Sequence, residues 1–371
     1  MKIVMERSAL LAALSFVAKW SSKGDTIEVL SHLLIEAGDG AVAITGTTLD
    51  KIARTTVPAD IEGGGSACIP AELLVKAVKG GAASEVSISC DDKGAVVRIG
   101  KTRLSVGVLP ADQFPDAVLL SSEPAYRLTM DAATLTTGIG RCAPFVWTDV
   151  GRDFISGVSW RHTEAGLEFC GTDAKTLSLV EAGQRYHGAV GLDIIMPPMA
   201  LPQWTGDVDV EISDRFIRFR CGADALASKL IEGNFPDVHR LIPQGEGSVL
   251  TFDRSDLARA VSTVDLNAVG KENSILFVGE NGQCTLSTVS TRGAVEDVVN
   301  YDGPDFVIAL ATRVIGKCLA ETAAETIDII YFDATKAVII RPMGEAGRTM
   351  IAVPYRDSRV AGYASRAREA A

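Results

Sequence analysis

The triplet Phe-Pro-Asp occurs twice in this chain, in VLPADQFPDAVLL (Val108 to Leu120) and in SKLIEGNFPDVHRLIP (Ser228 to Pro243). The second copy, at Phe235, lies 121 residues after the first, at Phe114. Each follows a strand-like apolar run. A repeat at so long a period means that a whole structural unit recurs, and it constrains the fold more tightly than any local propensity.

Other landmarks recur in the same order. IVMERSALLAALSFV from Ile3, LTMDAATLTTGIGRC from Leu128 and LTFDRSDLARAVSTV from Leu250 each read as a short strand. In each, a capping-type residue and then apolar residues at helical spacing follow. AVAITGTTLDKIARTTVPA, GLEFCGTDAKTLSLVEAG and QCTLSTVSTRGAVEDVVN read as strand, polar turn, strand. IPAELLVKAVKG, MPPMALPQWTG and LATRVIGKCLAE open like a second helix, with Pro70 and Pro197 suited to its first turn. AVVRIGKTRLSVGVLP, RFIRFRCGADALASKLIE and KAVIIRPMGEAGRTMIAVP read as hairpins with period-two alternation. The spacing predicts three α+β units, 1–122, 123–245 and 246–371, joined through polar stretches near residues 121–126 and 244–248.

The length of 371 residues is ample for several domains, and 47% hydrophobic with 22% charged residues suits a soluble globular protein. A formal charge of -11 excludes a protein that coats nucleic acid with its whole surface, but not one with a local basic stripe. Seven cysteines are scattered singly without a CxxC pair, which fits reduced cytosolic thiols. Glu6 and Arg7 interrupt the N-terminal apolar run, and Leu10, Leu11, Leu14 and Val17 have helical spacing, so a surface helix is expected there instead of a signal peptide. With no apolar run near the ~20 residues of a membrane span, a soluble cytoplasmic protein without a membrane partner is expected.

The chain offers little chemistry. RIGKT (Arg98 to Thr102) is a near miss for a phosphate loop, but it lies in an alternating hairpin where such a loop must open a helix. His32, His162, His187 and His239 are far apart, without HExxH spacing or a Cys/His cluster. No GxSxG elbow is present, and Asp91-Asp92 precedes Gly94 in a turn-like stretch. We expect no catalysis, no metal and no cofactor.

The three tandem units, FISG (Phe154 to Gly157), GTD (Gly171 to Asp173), LPADQFPD, SKLIEGNFPD and the Val-Pro-aromatic ending together resemble the bacterial DNA polymerase III β subunit, the sliding clamp, over residues 1–356. The resemblance implies the clamp fold, in which each domain packs two helices on antiparallel sheets. It also implies a head-to-tail homodimer that forms a six-domain ring with twelve helices lining the hole. Function would be that of a non-catalytic processivity factor encircling duplex DNA without reading its sequence. The implied partners are the DNA polymerase III core, the clamp loader and other proteins carrying clamp-binding motifs. The alternative is a divergent clamp paralogue that serves a specialised polymerase or a non-replicative binding role.

Carried over by position, the partner-peptide groove would be lined by Ile155, Thr172, Leu177, Pro236, Arg240, Leu241, Ala337, Ile351, Val353, Pro354 and Tyr355. DNA-facing cations would be Lys19, Lys23, Lys76, Lys79, Arg141, Arg152, Arg254 and Arg259. The dimer contact would pair Arg103, Leu104 and Val106 with the segment from Val264 to Leu276, including Leu266 and Leu276. The chain departs from the family in four places. Ala174-Lys175-Thr176 stands where Gly-His-Arg is usual, Tyr355 replaces a methionine, MPPMALPQW carries no charge, and Glu72 occupies a position where a basic residue is common. An Arg- and Ala-rich tail, residues 357–371, extends past the usual end, and we expect it to gate the groove.

Overall fold

The computed structural model describes residues 1–22, 26–91, 93–115, 118–183, 191–267 and 273–369, with side chains described as far as Tyr363. The first stretch runs β1 (Lys2–Glu6), α1 (Arg7–Val17), β2 (His32–Gly38), β3 (Ala41–Thr47), β4 (Lys51–Pro58), β5 (Asp60–Gly63), β6 (Gly65–Pro70), α2 (Ala71–Gly80), β7 (Glu85–Asp91), β8 (Gly94–Ile99) and β9 (Thr102–Val106). Next come α3 (Val118–Ser121), β10 (Tyr126–Asp131), α4 (Ala132–Cys142), β11 (Val158–Thr163), β12 (Gly166–Thr172), β13 (Thr176–Glu181), β14 (Asp193–Met196), β15 (Asp207–Ile212), β16 (Phe216–Cys221) and β17 (Asp224–Lys229). The last stretch is β18 (Ser248–Asp253), α5 (Arg254–Asp265), β19 (Ser274–Glu280), β20 (Gln283–Ser290), β21 (Gly293–Asp302), β22 (Phe306–Ala311), α6 (Thr312–Ala320), β23 (Thr326–Tyr331), β24 (Val338–Pro342), β25 (Arg348–Ala352) and α7 (Ser358–Glu369). The fold is α+β with antiparallel sheets; the strand–helix and hairpin landmarks recur in all three repeats, and the second helix recurs in the first and third as α2 and α6.

The repeat extends to single contacts. The last residue of α1, Val17, presses its carbonyl against Gly46 of β3, where a methyl group would sit 2.5 Å from the oxygen. Cys142, the last residue of α4, does the same to Gly171 of β12, at 2.2 Å. At the matching place near the end of α5, the Val264 carbonyl accepts a hydrogen bond from the Thr288 hydroxyl of β20 at 2.8 Å. Two repeats solve a close helix–strand approach by removing a side chain. The third solves it by giving the carbonyl a donor.

One expected helix is absent. Residues 197–205 have no regular structure, and β14 ends at Met196. Pro197, Pro198 and Pro202 remove three amide donors and bias the residues before them toward extended backbone, so helical spacing could not be realised. By contrast Pro70 sits directly before α2 as its N-cap residue, where no helical bond is lost. The capping reading holds most clearly at α5, where the Asp253 carboxylate accepts from the Asp256 amide at 2.8 Å.

The chain divides into two compact units. One holds Met1–Ala133 with Leu201–Leu230, and the other holds residues 134–183, 191–200 and those from Ile231 onward. The central repeat contributes to both. In the first unit, β17 pairs antiparallel with β4, joining the two in an eight-stranded sheet ordered β10-β15-β16-β17-β4-β3-β2-β6. In the second, β25 pairs with β13 inside a twelve-stranded sheet ordered β14-β11-β12-β13-β25-β24-β23-β18-β21-β20-β19-β22. Both junctions join the closing strand of one repeat to the second hairpin strand of the repeat before it.

Candidate functional site

The second compact unit carries a small apolar cluster apart from its main core. Ile155, Leu177 and Ile351, each 3% exposed, pack together with Cys170, Leu179, Ile195, Phe235 and Val238. Pairing of β13 with β25 sets Leu177 directly opposite Ile351, and pairing of β12 with β13 sets Thr172 opposite Leu177. The pairing continues past β25, since the Val353 amide donates to the Lys175 carbonyl at 3.1 Å. Ala337 is half-buried against the cluster. Leu241 and Val353 leave 56% and 46% of their surface in solvent.

The rim beside this cluster is a loop closed by a 3₁₀ turn, Val238–Leu241. Phe235 and Val238 anchor it from below, and Pro236 is half-buried. Arg240 stands out from the surface, with 85% of its side chain exposed, and pairs with Asp237 at 2.9 Å. Sequence reasoning named Pro236, Arg240 and Leu241 but missed Phe235 and Val238.

The GTD turn is the other wall. Ala174 adopts φ +67°, a conformation that favours glycine. Asp173 compensates by accepting hydrogen bonds from the Lys175 amide (3.0 Å), the Thr176 amide (2.7 Å) and the Thr176 hydroxyl (2.9 Å). Its other oxygen pairs with the Lys317 ammonium at 2.7 Å. Burial pushes this carboxyl up, but Lys317 and the Thr176 and Lys175 amides outweigh it and hold it below the usual carboxylate range.

Tyr355 departs from expectation. Past β25 the chain crosses to β22, with the Tyr355 amide donating to the Ala309 carbonyl at 2.7 Å. The ring packs against Leu276, Val278 and Ala309, a patch separate from the Ile155–Leu177–Ile351 cluster. The same packing corrects the expectation for Leu276. At 3% exposure it lies under Tyr355 and Val360 and presents no surface to a second chain. Leu266 is 80% exposed, and on β9 Arg103 is exposed while Leu104 and Val106 are half-buried.

The cations fall into two clefts and several pairs. In the first unit Lys19, Lys76 and Lys79 line one cleft between α1 and α2, and Glu72 sits beside Lys76 as its ion-pair partner at 2.5 Å. In the second unit Arg254 lines a cleft between α5 and α6 together with Arg313 and Lys317, neither of which the sequence had singled out. Arg259 is held by Asp297 at 2.6 Å and Arg141 by Glu345 at 3.3 Å. Arg152 stacks over Trp147 at 4.7 Å. Lys23 lies outside the described residues.

Among the described residues no three His, Cys, Asp or Glu side chains stand together as a metal site, and no helix is long and apolar enough to cross a membrane. The Arg98 to Thr102 stretch lies in the β8–β9 hairpin, and Asp91 accepts from the Lys93 amide at 2.9 Å in the turn before Gly94.

Comparison with known proteins agrees with this geometry. Residues 1–119 match the model of the DNA polymerase III beta subunit N-terminal domain, and residues 239–356 match that of its C-terminal domain. The chain is 30% identical to the beta sliding clamp of Caulobacter vibrioides, with 96% of this chain and 100% of that protein covered. The sliding clamp of Bartonella birtlesii bound to griselimycin superposes with TM-score 0.90 at 25% identity, covering 96% of this chain and 100% of that one. A Caulobacter crescentus clamp, solved with polyethylene glycol bound to its putative beta-motif tethering region, gives TM-score 0.88 at 27% identity, covering 96% and 99%.

The fold, matched along nearly the whole chain, thus defines the class of DNA sliding clamps. The chain belongs to the family of bacterial DNA polymerase III beta subunits, and its function is that of a processivity factor in DNA replication. Relatives that match along their whole length do not favour a divergent, non-replicative role.

Proposed function

We propose that two copies of this chain close head to tail into a ring around duplex DNA, each copy built of three clamp domains near 1–122, 123–245 and 246–371. One observation carries the reading. The closing strand of the second repeat pairs with β4 of the first, and that of the third pairs with β13 of the second. The closing strand of the first repeat, β9, is an edge strand of its sheet. The matching hairpin strand of the third repeat is β21, which pairs along its length with β20 and meets β18 only through Thr251 and Phe252. An edge strand invites a partner strand, and the pattern supports β9 of one copy joining β21 of the other. Val298, 48% exposed on β21, and Arg103 on β9 would lie in that contact, with Leu266 nearby.

The ring is read as non-catalytic and cytoplasmic. Basic clefts between helix pairs suit loose phosphate contacts, which position a protein on DNA without specifying sequence. The groove of Ile155, Leu177 and Ile351 suits a short apolar peptide from the polymerase core, the clamp loader or another client, by a few hydrophobic anchors in a preformed site. Tethering then replaces bimolecular re-encounter by a high effective concentration.

Two measurements test this. Sedimentation is expected to give about twice 39.2 kDa. Loaded by its clamp loader, the protein is expected to remain on nicked circles and to leave once they are linearised. Retention on the linear form, or a monomer at micromolar concentration, contradicts the ring.

A further inference from the structure

The family match ends at residue 356, yet the chain continues into α7. The first turn of this extension is bound to the second compact unit by a compact polar latch. Asp357 accepts from the Ser274 hydroxyl at 2.6 Å and from the Arg359 guanidinium at 2.6 and 3.0 Å. Arg359 also donates to the carbonyls of Ser274 and Ser287, each at 3.3 Å. Beside it, Val360 packs with Tyr355 on the Leu276–Val278–Ala309 patch.

We propose that this extension is a latch that holds Tyr355 away from the peptide groove, so that Asp357 and Arg359 act as positioning residues for partner binding. Tyr355 follows by two positions Val353, whose amide bonds the Lys175 carbonyl beside the Ile155–Leu177–Ile351 cluster, so a released ring is within reach of that cluster. Val353 and Leu241 remain exposed apolar surface. A tyrosine ring has a large apolar area and only two side-chain torsions, so once released it gains by covering such surface. The latch removes that option: Val360 packs with the half-buried ring on the other patch, and the bonds of Asp357 and Arg359 fix the backbone that follows it. Its effect is to keep the groove open to an incoming peptide.

The inference rests on the groove reading, and the test separates the two. The probe is griselimycin, the ligand named for the Bartonella birtlesii clamp, measured against the full dimer by calorimetry. Leu177→Asp is expected to abolish binding; if it does not, the groove reading itself fails. With that control satisfied, deletion of residues 357–371 and Arg359→Ala are each expected to weaken binding several-fold. Tyr355→Ala in the deleted chain is expected to restore it. Iodination of Tyr355, followed by mass spectrometry, reports its release without reference to the groove and is expected to be faster in both variants. Unchanged affinity after deletion, a loss that Tyr355→Ala does not rescue, or unaltered iodination would each overturn the latch.

Discussion

His239 Nε2 lies 3.0 Å from both carboxylate oxygens of Glu168. Glu168 is 5% exposed on β12, whereas His239 sits half in solvent on the turn that carries Arg240 and Leu241. A buried carboxylate therefore ties the groove rim to the strand that ends in Thr172. Removing the imidazole leaves an acceptor buried without its donor, at a cost of about 1–3 kcal/mol. His239→Ala is expected to lower the urea midpoint and to raise hydrogen exchange at residues 236–242. Restoring a donor with His239→Gln is expected to recover part of both. A variant with unchanged exchange in this turn contradicts the positioning role.

Ala174 gives the opposite sign of prediction. A side chain at φ +67° is strained by about 1 kcal/mol relative to glycine, offset in part by the greater unfolded-state freedom of glycine. Ala174→Gly is expected to stabilise the protein by at most about 0.6 kcal/mol in denaturant titration. The neighbouring Asp173 network keeps the turn in place, so groove affinity is expected to be unchanged.

Acid should unfold the second compact unit through specific carboxylates. Asp173 is held below its ordinary value by Lys317 and two amides acting against burial. Asp357 reaches about 2, where burial is outweighed by Arg359 and Ser274. A depressed folded value means stability that is present above the unfolded value near 3.9 and is lost as pH falls toward the folded one. Urea midpoints are therefore expected to hold between pH 7 and about 5 and to fall below about 4. Asp173→Asn is expected to be less stable at pH 7 and to show a shallower acid decline, because Lys317 then lacks its counter-charge at every pH.

How much of this was legible beforehand depended on the kind of signal. Strand–helix starts and hairpins carry their periodicity locally, so β1–α1, β10–α4 and β18–α5 could be placed from spacing alone. MPPMALPQW reads as a helix only by repeat symmetry, and its three prolines are a local veto that symmetry cannot lift. Ile155, Leu177 and Ile351, named together by position, do fall in one apolar cluster. Tyr355 does not, because its direction depends on where the chain crosses after β25 and on the latch beyond it. Arg313 was missed because nothing in TRVIGKCLA says which side of α6 faces α5.

The pairing of the cations leads to a prediction about DNA. Arg259 and Arg141 are engaged by carboxylates, Lys76 by Glu72 and Lys317 by Asp173, so Arg254, Arg313, Lys19 and Lys79 are left as the main candidates for holding phosphate. The slope of log K against log salt falls by roughly one for each phosphate that a protein no longer neutralises. Arg313→Gln is expected to reduce that slope by about one for each copy of Arg313 that meets a phosphate, while Arg259→Gln changes it little. Equal effects of the two substitutions contradict this division.

The helix–strand approach shared by the repeats yields the sharpest comparison among single substitutions. A methyl group at Gly171 meets the Cys142 carbonyl at 2.2 Å, and one at Gly46 meets the Val17 carbonyl at 2.5 Å. Backbone atoms cannot step aside as a flexible side chain does, so helix and strand must separate, at a cost of about 1–3 kcal/mol each. In the third repeat Thr288 already places a side chain there and gives Val264 a hydrogen bond, which the glycines do not. Thr288→Ala removes that bond without adding bulk and is expected to cost about 1 kcal/mol. Gly171→Ala is therefore expected to be the most damaging of the three in urea unfolding, followed by Gly46→Ala. If Thr288→Ala proves the worst, the equivalence of the three contacts is wrong, and with it the claim that the repeat reaches down to individual atoms.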